Sequence, residues 1–168
     1  INAGAIRAGA AVNDIDFGDL VNVEGMEDGS VLSIENGEIY IKAENNFSNT
    51  GVIATDGADH LDAGNIEILA GGDINIGEEA VISAKGVGQD SNGGNVRIFA
   101  ENNTNFEENA IIDASGGNVS GNGGFVELSA KNTLRLAGGQ ILASAVNGTQ
   151  GNILLDPKEL TIAKDFLR

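Results

Sequence analysis

The sequence predicts an all-β fold, a parallel β-helix with three strands per coil and about 27–30 residues per coil. Three observations predict it: a segment that recurs along the chain, an alternation of apolar and polar residues inside each copy, and Gly- and Asn-rich stretches between copies. Each feature constrains a different level of the fold.

The recurrence is direct. Residues 64–70 (GNIEILA), 94–100 (GNVRIFA) and 124–130 (GFVELSA) follow one another at intervals of 30, which marks a repeat architecture. Residues 37–43 (GEIYIKA) lie 27 upstream of the first, and 151–157 (GNILLDP) lie 27 downstream of the last. Within each copy the apolar residues alternate at period 2 and never at 3.6, so each is a strand with one buried face.

Stacking the copies sets Ile39, Ile66, Val96, Val126 and Ile153 in one inward column and Ile41, Ile68, Ile98, Leu128 and Leu155 in a second. Ala43, Ala70, Ala100 and Ala130 form a third. A parallel β-helix requires such columns, because equivalent residues of successive coils lie about 4.8 Å apart and pack on one another. The outward column reads Tyr40, Glu67, Arg97, Glu127, Leu154, and the Arg between two Glu avoids placing like charges side by side.

A second strand follows in each copy, with Ile74 and Ile76 matched by Thr104 and Phe106 and then by Leu134 and Leu136. A third is carried by residues 80–84 and 110–114, with 51–55 and 140–144 as relatives. Three strands per coil imply a triangular cross-section. The corners at 86–94, 116–124 and 147–151 are rich in Gly and Asn, which tolerate the positive φ that tight corners demand. They are not phosphate loops, which need a helix behind them and a Lys-Ser/Thr partner.

The whole chain, 1–168, reads as a single β-helix segment. Residues 37–163 are the regular coils, 164–168 a tail, and 1–36 divergent early coils in which Ile15, Phe17, Val21, Val23, Val31 and Ile34 suggest strands.

Composition narrows the chemistry. With 25 Asp and Glu against 9 Lys and Arg, the formal charge of −16 argues against nucleic acid as a partner, since phosphate binding needs clustered cations. The absence of cysteine removes disulfides, thiolate metal sites and thiol nucleophiles, and His60 is the only histidine. No apolar run approaches 18 residues, and the N-terminal stretch lacks the regions of a signal peptide, so the chain reads as a mature or excised piece of something longer.

No catalytic or cofactor-binding residue is singled out. Asp56, Asp59, His60 and Asp62 share one corner and Asp14, Asp16 and Asp19 another, but neither has an Arg or Lys in its loop, and each reads as a solvated acidic turn. Calcium is a cation that such oxygens would suit, because hard cations take carboxylate and carbonyl ligands, but neither an EF-hand loop nor a tandem calcium nonapeptide is present. Thr50, Thr104 and Thr133 form no single column, which argues against an ice-binding face. Asn46, Asn102, Asn118 and Asn147 stand in Asn-x-Ser/Thr sequons and are the candidate glycosylation positions.

Residues 121–130 (GNGGFVELSA) together with 151–162 (GNILLDPKELTI) resemble a motif pair of the large exoproteins of bacterial two-partner secretion, the family of filamentous haemagglutinin and the high-molecular-weight adhesins. The Asp156-Pro157 pair with Thr161-Ile162 is the most specific part, and the resemblance spans roughly residues 64–163. It implies a right-handed β-helix, export through an outer-membrane secretion partner, display as a fibre at the bacterial cell surface, and sequon glycosylation of the kind some of these adhesins carry. The Asn-Pro motifs of that family's secretion domain are missing, Pro157 being the only proline, so the expected role is that of a stalk segment.

The expectation is therefore an extracellular, non-catalytic structural or adhesive β-helix. Its expected partners are further copies stacked end to end into fibres and a host or neighbouring-cell surface or glycan. The alternative is a β-helical polysaccharide lyase or hydrolase, for which the Glu67, Arg97, Glu127 column is the nearest approach to a catalytic cluster.

Overall fold

The computed structural model describes residues 4–8 and 30–163. They form a parallel β-solenoid with no helix. The first described strand, β1 (Ala5–Arg7), pairs in parallel with β5 (Val52–Ala54) and so belongs to the third face of a coil preceding the regular ones. The next three coils are built from β3 (Glu38–Ala43), β4 (Phe47–Asn49) and β5; β6 (Asn65–Ala70), β7 (Ile74–Ile76) and β8 (Val81–Ser83); and β9 (Asn95–Ala100), β10 (Thr104–Phe106) and β11 (Ile111–Asp113). In the last two, β12 (Phe125–Leu136) runs through the first and second faces without a break, β13 (Gln140–Leu142) forms the third, and β14 (Asn152–Ile162) again spans the first two.

Strand pairing on the first face sets Ile39 beside Ile66, Ile66 beside Val96, Val96 beside Val126 and Val126 beside Ile153. The second column, from Ile41 through Ile68, Ile98 and Leu128 to Leu155, pairs in the same register. A slip of one residue would turn every one of these side chains outward, so the aliphatic columns themselves hold the register. On the second face Ile74, Thr104 and Leu134 align, as do Ile76, Phe106 and Leu136. Thr104 is buried in this column because its Oγ1 donates to the Ser129 carbonyl at 3.0 Å.

The corners absorb the differences in coil length. Two residues separate β4 from β5, four separate β7 from β8 and β10 from β11, and three separate β12 from β13. Glu79, Asn109 and Gly138 occupy equivalent places there, all at positive φ (60°, 58° and 109°). At the other corner Gly64, Gly94, Gly124 and Gly151 form a column in which an added Cβ would overlap the carbonyl oxygen of the glycine one coil earlier, Gly37, Gly64, Gly94 and Gly124 respectively. Each of their N–H groups donates back across the corner, to Thr55, Ala84, Ala114 and Ala143. Glycine is required here by close backbone approach.

Two features depart from the expectation of divergent early coils followed by regular ones. β2 (Val31–Glu35) is not a coil strand: it pairs antiparallel with β3, Val31 opposite Lys42 and Glu35 opposite Glu38. The cause is the two-residue turn Asn36-Gly37, with both φ values positive (52° and 78°), the geometry that folds a chain straight back on itself. The last rung of the predicted core columns is also not interior. Ile153 is 47% exposed and Leu155 only half-buried, because β14 has a neighbour on one side alone among the described residues. Ile15, Phe17, Val21 and Val23 and the tail lie outside the described residues.

Candidate functional site

Among the described residues, polar side chains gather at the long corner after each third strand, at the shorter corner between the first and second strands, and on the outward face of the first sheet. At the long corner, acidic and amide side chains reach the next coil. Asp59 Oδ1 accepts the Gln89 N–H at 2.8 Å and Asp62 Oδ1 the Asn92 N–H at 2.8 Å. Asp56 accepts from the Lys85 N–H at 3.1 Å and from the Ser83 hydroxyl. The pattern continues with Asn92 accepting from Asn122 N–H (2.7 Å) and Asn122 from Thr149 N–H (2.8 Å). Each carboxylate or amide thus supplies an acceptor to a backbone donor that the irregular corner would otherwise leave to water.

The corner is the solvated acidic turn that the sequence suggests, with Asp59, His60 and Asp62 exposed, and its carboxylates in addition latch one coil to the next. Asp56, Asp59 and Asp62 engage separate amides, and among the described residues no group of three or more His, Asp or Glu is arranged around a common cation position. His60, at φ 60°, pairs with Asp90 of the next coil at 3.4 Å, both side chains well exposed. Asp14, Asp16 and Asp19 lie outside the described residues.

The four sequons differ in what their amides do. Asn102 donates from Nδ2 to Asp73 at 2.6 Å and accepts from Asn132 at 2.7 Å, so its nitrogen is held in an amide ladder. Asn147 donates from Nδ2 to the Val119 carbonyl at 2.9 Å. Asn46 and Asn118 instead engage through Oδ1, accepting the N–H groups of Asp73 and Gly88, each at 2.7 Å. Both are exposed, and attachment at Nδ2 would leave those bonds in place.

On the first sheet, the pairing of β3, β6, β9 and β12 aligns two outward columns: Glu38, Asn65, Asn95, Phe125 and Tyr40, Glu67, Arg97, Glu127. Asn65 donates to Glu38 at 2.8 Å and accepts from Asn95 Nδ2 at 2.8 Å. Arg97 donates to Glu127 at 2.9 Å and lies 3.5 Å from Glu67. The hydrogen bond to Glu127 and its charge raise the Arg97 pKa further above its ordinary value, with Glu67 adding to the effect. A raised folded-state pKa contributes stability that is fully present below the unfolded value and is lost as pH rises through the folded one, so deprotonation of Arg97 does not weaken the pair at neutral pH. Between the columns lies an open groove of about 350 Å³. The corner latches and this groove are the features that sequence reasoning missed. The repeat of Asp or Asn at one position of successive coils could have signalled the first, and the aromatic residues at outward positions the second.

Comparison of the chain with family models, with curated proteins and with solved structures finds no match.

Proposed function

We propose that this chain is an extracellular structural and adhesive β-solenoid, a stalk or fibre segment of a large secreted exoprotein at a bacterial cell surface, and that it is non-catalytic. The observation that carries the reading is the use made of the polar side chains. Asp56, Asp59, Asp62, Asn92 and Asn122 each give one oxygen, Oδ1, to a backbone N–H of the next coil, and Arg97 is shared by two carboxylates. Groups committed in this way stiffen the stack along its axis. A residue column buried on both sides adds to the stiffness, since each coil draws its stability from its neighbours. The motif pair at 121–130 and 151–162 supports export through an outer-membrane partner, and end-to-end association of copies into fibres belongs to the same reading. Asn46 and Asn118 are the sequons best suited to glycosylation.

The competing reading, a polysaccharide lyase or hydrolase, rests on Glu67, Arg97 and Glu127. Electron microscopy of the purified protein, with a reducing-end assay after incubation with a polysaccharide panel, separates the two. Thin rods or fibres with an axial spacing of about 4.8 Å and no new reducing ends support the structural reading. Compact particles that cleave any polymer contradict it.

A further inference from the structure

Tyr40, Phe99 and Phe125 stand at outward positions of the first sheet, in a chain with only one Tyr and six Phe. All three are partly buried, so part of each ring lies on the sheet surface and part meets water, an amphipathic placement that suits contact with a ligand having both apolar and polar faces. Two of them, Tyr40 and Phe125, line the groove, separated along the axis by β6 and β9, which contribute Asn65, Asn95, Glu67 and Arg97. The volume, about 350 Å³, is within the range of small-ligand sites.

We infer that this groove binds a non-acidic, extended β-linked oligosaccharide lying along the solenoid axis, an inference that rests on the adhesive reading above. Three physical features select that class. Aromatic rings lining a groove are surfaces on which the C–H face of a pyranose can pack, and the amides, carboxylates and guanidinium between Tyr40 and Phe125 match its hydroxyls. Successive strands are about 4.8 Å apart, close to the advance of one sugar ring in an extended chain, so each ring meets one strand. Charge excludes acidic polymers: Arg97 is neutralised by Glu67 and Glu127, Glu38 is left over, and the whole chain carries −16. The polar groups are also pre-positioned. Glu38, Asn65 and Asn95 hold one another in line, which reduces the ordering cost on binding.

The test is an NMR titration and calorimetry of the folded 168-residue chain with tetramers of β-1,4-linked glucose, β-1,4-linked N-acetylglucosamine and galacturonic acid, and with a Lys-rich peptide. Shift changes confined to β3, β6, β9 and β12 with at least one non-acidic tetramer, and none with galacturonic acid, are expected. Tyr40→Ala and Phe125→Ser, outward substitutions checked by thermal melts, should each weaken that binding by about tenfold or more. The inference is overturned by no saturable binding of either non-acidic tetramer, by equal binding of galacturonic acid, by occupation of the groove by the peptide alone, or by variants that melt normally and bind as well as the parent. Mass analysis of the same samples keeps the two readings apart. A bound and intact tetramer supports both, a bound but cleaved one contradicts only the non-catalytic role, and absent binding contradicts only the groove.

Discussion

Val126 and Ile153 occupy neighbouring rungs of one column, paired directly across β12 and β14, yet Val126 is fully buried and Ile153 is 47% exposed. The same contrast separates Leu134 from Leu160 on the second face. Neither residue type nor strand position differs in a way that explains it. What differs is that β12 has β9 and β10 on one side and β14 on the other, whereas β14 has only β12 among the described residues. In a globular domain a residue is buried by its own fold; here it is buried by the coil before and the coil after, and a column is worth only as much as its continuity.

That contrast can be broken by truncating matched residues. Ile98→Ala, in the middle of its column, should cost about 4 kcal/mol, from the lost methylenes and the cavity held open by coils on both sides. Ile153→Ala should cost less than about 1.5 kcal/mol, since its side chain already meets water. Urea melts of the two variants check the ratio, and equal losses would contradict the neighbour argument.

The glycine column sharpens the point from the backbone side. Gly94→Ala would drive a methyl into the Gly64 carbonyl, and the coils would have to part to admit it. A loss of about 3 kcal/mol is expected, read from the same melts. Smaller effects lie in two local misfits. Thr55 occupies the column of Ala84, Ala114 and Ala143, and its buried hydroxyl has no hydrogen-bond partner. Thr55→Val should therefore raise stability by about 1 kcal/mol, seen as a higher Tm. Glu79 holds the left-handed conformation that Asn109 and Gly138 hold in later coils, so Glu79→Gly should gain up to about 1 kcal/mol.

The regular part of the solenoid was legible because one signal was written several times. Ile66, Val96 and Val126 each lie in a strand of alternating burial, and the spacing of 30 aligned their columns without any tertiary information. The N-terminal coils were harder to read because β2 has no repeat to align with. Its signal is local, the Asn36-Gly37 pair between alternating residues, and it has no counterpart at the same place in the other coils. The break in burial at Ile153 was invisible for a related reason, since the repeat specifies which residues point inward but not whether a neighbour covers them. The corner latches escaped because a run such as Asp56 to Asp62 shows only its solvated charge, which the structure retains, until the next coil's amides are placed against it. The groove depends on two columns of different strands being read together, and Phe125 stands where the two previous coils carry Asn, so no single repeat displays it.

Native-state hydrogen exchange, followed amide by amide, tests the neighbour account most directly. Slowest exchange is expected in β6, β7, β9 and β10, with a fall in protection from β12 to β14 on both sides of the register shift between Ala130 and Thr133 that interrupts their pairing. Equal protection of β9 and β14, or greater protection in β14, would contradict the claim that each coil is held by the coils on either side.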